Sequence, residues 1–332
     1  MDIILKISQE LMCRQEQVAA AVKLIDEGCT IPFIARYRKE ATGSLNDEQL
    51  RTLDERLTYL RGLEDRKEKV LASIEEQGML TDELKKSILA AETLVAVEDL
   101  YRPYKPKRKT RATIAQSKGL TGLANIISLQ MTNKPIPEEA LAYVSEEKEV
   151  HSAEEAIAGA MDIIAESISD NAEYRTEIRS LTMDKGILMT TAKDPEAESV
   201  YEMYYDFSTP VRKMAGYRTL AINRGEKEKF LSVKIEAPVD EITGYLIRQV
   251  IVRDNPNTND ILRNTITDSY ERLIAPSIER DIRSSLTEAA EDGAIKVFGS
   301  NLKQLLMQPP INGHVVLGWD PAFRTGCKLA VV

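Results

Sequence analysis

The stretch Asn46-Asp47-Glu48-Gln49-Leu50-Arg51-Thr52-Leu53-Asp54-Glu55-Arg56-Leu57-Thr58-Tyr59-Leu60 decides the fold class. Its leucines recur three and four residues apart. A helix turns once every 3.6 residues, so this spacing lays a narrow apolar seam along one side, as in a coiled coil. Asn46 or Ser44 supplies a capping oxygen, and Leu71 and Ile74 carry the amphipathic helix on to about Gln77. Such a seam closes on the chain's own bundle or recruits a partner helix.

Upstream, Val18, Val22 and Ile25 predict one helix from Ile3 to Glu27, stopped by Gly28. Pro32 fits the first turn of a short helix in which Ile31, Phe33 and Ile34 precede Arg36, Arg38 and Lys39, with Gly43 as its close. Downstream, Thr81 or Asp82 starts a helix carrying Leu84, Ile88, Leu89, Val95 and Leu100, and Pro103 and Pro106 end it in an extended loop. Helices resume over Glu138 to Val150 and after Ser152, where Glu155 completes a capping box; Asp170 is the expected cap of the next.

Around Tyr217 the period shortens to that of a strand. Tyr217, Leu220 and Ile222, then Phe230, Leu231, Val233 and Ile235, flank the turn-like Asn223-Arg224-Gly225-Glu226 and predict a β-hairpin over 217–238. Helical spacing returns from Asp240, pauses at Asn255-Pro256-Asn257 and ends at Pro309-Pro310. His314 to Asp320 and Leu329 to Val332 then read as two strands. A lone hairpin cannot bury both faces, so the last residues are expected to open a further domain. The resulting division is a helical region over 1–118, a helical subdomain over 119–216, the hairpin, a helical segment over 239–311, and the strands of 312–332.

The 332 residues hold 44 Lys and Arg against 53 Asp and Glu, a net charge of −9, with 43% hydrophobic residues. That is ordinary for globular protein and excludes wholesale disorder. Cys13, Cys29 and Cys327 are sparse and odd in number, which suits a reducing compartment, the cytoplasm. No run is long and apolar enough for a membrane helix. With only His151 and His314, and no Cys-x-x-Cys, His-Glu-x-x-His or glycine-rich phosphate loop, no metal centre or nucleotide cofactor is expected.

Against this acidic background the charge inverts between Arg102 and Lys118. Arg102, Lys105, Lys107, Arg108, Lys109, Arg111 and Lys118 occur there without one acidic residue, beside Tyr101 and Tyr104. Lys and Arg neutralise phosphates, and a tyrosine ring can stack on an unpaired base, so the segment points to RNA or single-stranded nucleic acid. The competing reading pairs these cations with acidic helices of the same chain. Arg36, Arg38 and Lys39 are a second basic group. Residues 36 and 39 share a helical face and 38 does not, which favours ion pairs that orient helices. Cys13 and Cys29 are expected to pack as small hydrophobes, His151 to close the preceding helix, and Trp319 to pack in a core.

Six blocks are recognisable as a set: Ile31 to Gly43, Tyr104 to Thr110, Tyr217 to Glu228, Ile274 to Arg283, Leu305 to Pro310 and Leu317 to Lys328. In this order they resemble the bacterial Tex family over nearly the whole chain. The resemblance implies an RNA-binding transcription accessory factor whose complete members continue through a YqgF-type ribonuclease-H-like domain, a helix-hairpin-helix domain and an OB-fold. The fold it implies is mainly α, a multi-helix amino-terminal region with a helix-turn-helix-like element and a small β-hairpin, ending in the first strands of the ribonuclease-H-like α/β domain.

The chain departs from the family pattern at Asp320-Pro321-Ala322, where glycine is usual at the third position. Ribonuclease-H-like nucleases hold magnesium with a first-strand carboxylate, which would be Asp320, but one acid makes no metal site. The chain is therefore expected to be catalytically inert, with Asp320 bracing its own turn. Its expected partners are RNA or single-stranded nucleic acid, and the transcription or translation machinery. A metal-dependent nuclease or resolvase and a pure protein-interaction scaffold stay open as alternatives.

Overall fold

The computed structural model describes residues 2–106, 109–309, 312–321 and 326–332. The chain is mainly α. It forms two units, one built from the chain up to Thr182 together with Pro238–Ile278, the other from Met183–Ala237 and Glu279–Val332. Both units are discontinuous in sequence, which differs from the serial division expected above.

The first unit opens with α1 (Ile3–Glu10), α2 (Gln15–Asp26), α3 (Ile31–Tyr37), α4 (Asp47–Glu76), α5 (Asp82–Ala90) and α6 (Leu94–Tyr101). The single helix expected from Ile3 to Glu27 is thus two. Met12 takes a left-handed φ of 51° at the joint, and no glycine or proline marks it. Gln17 Oε1 accepts the Arg14 N–H at 3.1 Å and starts α2. Thr93 likewise splits the helix expected over 82–100, accepting the Ala96 N–H at 3.2 Å.

For α4 the reading holds. Asn46 accepts the Gln49 N–H at 2.8 Å while Gln49 accepts the Asn46 N–H at 3.0 Å, a reciprocal box. The seam closes on the chain's own bundle: Leu50, Leu53, Leu57, Leu60 and Leu63 are buried with Ile7, Val18, Ile34 and Val97. Each such side chain contributes about 2 kcal/mol by leaving water.

Next come α7 (Arg111–Ser117), α8 (Thr121–Leu129), α9 (Ile136–Leu141), α10 (Ala153–Asp170) and α11 (Ala172–Lys185). The first occupies sequence expected to be loop. Ser152 caps α10 by accepting the Glu155 N–H at 3.2 Å, but Glu155 returns its bond to His151, whose N–H lies 2.8 Å away. His151 therefore braces the start of α10 rather than closing the helix before it. The cap of α11 is Asn171, which accepts from Glu173 and Tyr174 at 3.0 Å, not Asp170.

Helix α10 is the hub of this second layer: Ala156, Ala160, Ile164 and Ala165 are buried on it, and α7, α8 and α9 pack against it. Gly159 lets Leu120 in: a Cβ there would collide with Leu120 Cδ1. From the later segment, α13 (Val239–Val250) and α14 (Asn259–Asp268) complete the unit. A π-helical turn, Ser269–Ile274, leads from α14 into α15 (Ala275–Leu306). Ser269 in that turn donates to the Ala165 carbonyl at 2.7 Å, and Arg272 reaches Asp162 at 2.8 Å.

The second unit holds a three-stranded antiparallel sheet in the order β2-β1-β3, from β1 (Ile187–Ala192), β2 (Asp206–Pro210) and β3 (Leu231–Glu236). The hairpin expected over 217–238 is not formed. Its first arm and its turn are helix α12 (Gly216–Lys227), and only its second arm is a strand. Gly225 is interior to that helix because Leu231 crosses it, with a Cβ position 2.7 Å from Leu231 Cδ1. Asn223 donates to Thr287 at 2.8 Å, so the supposed turn residues face a partner distant in sequence. Strand β3 pairs with β1, which the helical reading of 119–216 had concealed.

Strands β4 (Leu317–Asp320) and β5 (Lys328–Val331) form the expected terminal hairpin, pairing Asp320 with Lys328 in register. Trp319 is 68% exposed there and does not pack in a core, since a two-stranded ribbon has no second layer to cover it. Ala322, named above, lies outside the described residues.

Candidate nucleic-acid interface

The basic segment follows α6 in the first unit. Pro103 sits in a 3-10 turn, Arg102–Tyr104, which stops α6; Lys105 leaves that turn in extended backbone, and Thr110 caps α7 by accepting the Thr113 N–H at 3.1 Å. Arg111 is the first residue of α7, where the helix dipole favours an anion, and no acidic residue shares that turn. Local physics thus works against the placement of this cation.

Internal carboxylates engage part of the cluster. Arg102 pairs with Asp170 at 3.1 Å and Lys105 with Glu98 at 3.6 Å, a carboxylate that also receives Arg66 at 2.6 Å. Lys118 donates to the Glu149 carbonyl at 2.7 Å. Lys109 and Arg111 are exposed and have no ion-pair partner among the described residues. Lys107 and Arg108 lie outside the described residues.

The two tyrosines differ from each other. Tyr101 is buried, shares a 2.9 Å hydrogen bond with Ser73 and lies beneath the Arg66 guanidinium, so it is not a stacking surface. Tyr104 is half-buried and its carbonyl accepts from Gln77 at 3.0 Å.

Two clefts flank the segment. One, of about 630 Å³, is lined by Tyr104, Lys105, Thr113, Gln116, Glu166 and Asp170. The other, of about 590 Å³, is lined by Arg111, Lys118, Glu149, His151, Glu155 and Asp162. Both carry carboxylates, which repel a polyanion from their floors. Beyond the second, the Arg272 guanidinium bonded to Asp268 holds that carboxyl below its ordinary range against burial, and Arg111 adds to the effect. What remains open to phosphate is the outer edge of the segment, Lys109 and Arg111.

The second basic group is not tied into ion pairs as expected. Arg36, Arg38 and Lys39 are exposed, and no carboxylate pairs with them among the described residues. Arg38 instead lies over the Phe33 ring, 5.1 Å from its centroid. Asp320 is exposed at the end of β4. No group of three His, Cys, Asp or Glu able to hold a metal occurs among the described residues. Cys13 and Cys29 are half-buried against the α1–α6 core, and desolvation raises the Cys13 thiol above its usual range.

Family models match at two stretches: Tex-like protein N-terminal domain over residues 1–75 and Tex central region-like over 131–298. The basic segment falls between them. The chain is 50% identical to the Bacillus subtilis protein YdcI over 98% of its length and 46% of that protein's. It is 41% identical to the Neisseria gonorrhoeae transcriptional accessory protein Tex, over all of this chain and 44% of the relative. It is 31% identical to the human S1 RNA-binding domain-containing protein 1, over 95% of this chain and 33% of the relative. The chain thus spans less than half the length of each of these relatives.

Proposed function

This chain belongs to the Tex family, and from that premise we propose that it is the scaffold region of an RNA-binding transcription accessory factor, acting in the cytoplasm by binding rather than by bond cleavage. The names of the Neisseria and human relatives, one a transcriptional accessory protein and one an S1 RNA-binding domain-containing protein, support that direction. The β4–β5 hairpin is read, in the same proposal, as opening strands of a ribonuclease-H-like sheet.

One observation carries the reading. In a chain of net charge −9, Lys109 and Arg111 stand exposed at the edge of an acid-free segment and make no ion pair among the described residues, although Arg111 lies near enough to Asp268 to lower its carboxyl. Arg102 and Lys105, held by Asp170 and Glu98, fix the segment's base, while the edge residues meet phosphate. Tyr104 serves as an edge contact, and the ligand is single-stranded RNA.

The test is the salt dependence of binding to labelled single-stranded RNA. Each phosphate neutralised on a single strand contributes about −0.7 to the slope of log K against log salt. Lys109→Gln with Arg111→Gln is expected to flatten the slope by about 1.4. Arg102→Gln, a change at the base, is expected to leave it nearly intact. Binding that is indifferent to salt, or unchanged in the double variant, refutes the assignment.

A further inference from the structure

The chain has a second open cationic surface, with different chemistry. On α3, Phe33 and Tyr37 are one turn apart, 37% and 65% exposed, with ring centroids 5.3 Å apart. Arg36 lies beside Phe33 on the side of the helix away from the buried Ile34. Arg38 lies over the Phe33 ring, and Lys39 follows. Two accessible rings are thus interleaved with three cations that no described carboxylate neutralises, in a protein with acid in excess.

The backbone beneath is held in one conformation. Ser44 donates to the Lys39 carbonyl at 2.7 Å, and the buried Thr42 hydroxyl donates to the Arg38 carbonyl at 3.1 Å. From α2, Gln17 Nε2 donates to the Gly43 carbonyl at 2.8 Å. Gly43, at φ +59°, and Ser44, at φ 64°, complete a left-handed turn that holds the backbone of Arg38 and Lys39 in place, so that binding has only their side chains to order.

We propose that the exposed face of α3 and the turn after it form a contact site for unpaired nucleotides, with a base stacking on Tyr37, which Phe33 backs, and phosphates meeting Arg36, Arg38 and Lys39. Cations alone would suit any polyanion. Flat rings at the same surface select a ligand that has both phosphates and free base faces, which duplexes and acidic peptides lack. The site rests on the nucleic-acid reading above but uses none of its residues.

The experiment is fluorescence anisotropy with a labelled uridylate dodecamer, a duplex of equal length and a polyglutamate competitor. The proteins are the parent chain, Tyr37→Ala, Tyr37→Phe, Arg36→Gln with Lys39→Gln, and Lys109→Gln with Arg111→Gln. Tyr37 is mostly solvent-facing, so its variants keep the fold. Removing a stacking ring is expected to weaken single-strand binding by about fivefold or more without altering the salt slope. Tyr37→Phe should retain affinity, and the Arg36 and Lys39 pair should flatten the slope by about 1.4.

Loss confined to the α3 variants supports this site and counts against the 102–118 segment. Loss confined to the Lys109 and Arg111 variant overturns this site alone, and no binding by the parent overturns both. Equal loss of duplex and single strand on Tyr37→Ala also overturns it. So does a patch displaced by polyglutamate whose variants leave RNA affinity unchanged, since that marks an acidic protein as the ligand.

Discussion

Replacing Asp99 is expected to be the most damaging single polar change in the first unit. Its carboxylate, buried on α6, accepts from Arg175 Nε at 2.6 Å and Arg179 Nη2 at 2.8 Å, both on α11. Arg175 is 1% exposed and also donates to Ser277 at 2.9 Å. A hydrogen bond to a charged group is worth about 1.5–3 kcal/mol, and breaking a buried pair by removing one partner costs about 3–5 kcal/mol. Arg179 keeps some exposure and can turn to water, so its share sits at the low end. Arg175 has no such route. Asp99→Ala should therefore cost about 4 kcal/mol, and Asp99→Asn, which keeps an acceptor oxygen, about half of that.

Amide hydrogen exchange reads this cost locally, without assuming that both units unfold together. About 4 kcal/mol corresponds to roughly a thousandfold faster exchange in α6 and α11. The control is Arg61→Ala, which removes the solvent-facing pair with Asp26 at 2.7 Å and should leave exchange nearly unchanged. Acceleration below tenfold in Asp99→Ala, or no greater than in Arg61→Ala, would mean that burial does not set the value of this cluster.

Acid should destabilise the protein from about pH 4.5 downward. Arg56 bonded to Glu10 and Arg272 bonded to Asp268 hold those carboxyls below their ordinary values, so the stabilisation is complete above the unfolded pKa values and disappears as pH falls through the folded ones. Urea midpoints equal at pH 3 and pH 7 would contradict this, and Arg272→Gln should blunt the loss. Gly43→Ala should cost about 2 kcal/mol, combining a left-handed φ with a Cβ 2.7 Å from Gln17 Nε2, whereas Gly78→Ala, at φ +68° in open space, should cost about 1 kcal/mol. Equal thermal shifts for the two would show that the Gln17 clasp contributes nothing.

The sequence was most legible where a structural cause is local. The α4 seam, its Asn46 cap and the proline start of α3 were readable because spacing and capping act within one or two turns. The joint at Met12 was not, since a left-handed methionine leaves no compositional mark. The segment from Gly216 to Lys227 misled because its alternation of apolar residues is compatible with a strand. What decides for helix is packing against Leu231 and Thr287, and no window of neighbours contains that. The basic segment was visible as composition, yet the division of labour within it, Arg102 and Lys105 braced and Lys109 and Arg111 open, depends on Asp170 and Glu98. The α3 surface was underestimated for the same reason: the acids assumed to meet Arg36, Arg38 and Lys39 lie elsewhere.

The interleaving of the two units sets the order in which a growing chain can fold. The α1–α6 cluster has all its parts once Tyr101 has left the ribosome, so it can consolidate early. Helix α10 cannot. Its Ala165 carbonyl and Asp162 carboxylate await Ser269 and Arg272, beyond the whole of Met183–Ala237. At about 5–20 residues per second, translation from Met183 to Ile278 takes roughly 5–20 s, and through that interval one side of α10 stands open on the nascent polypeptide.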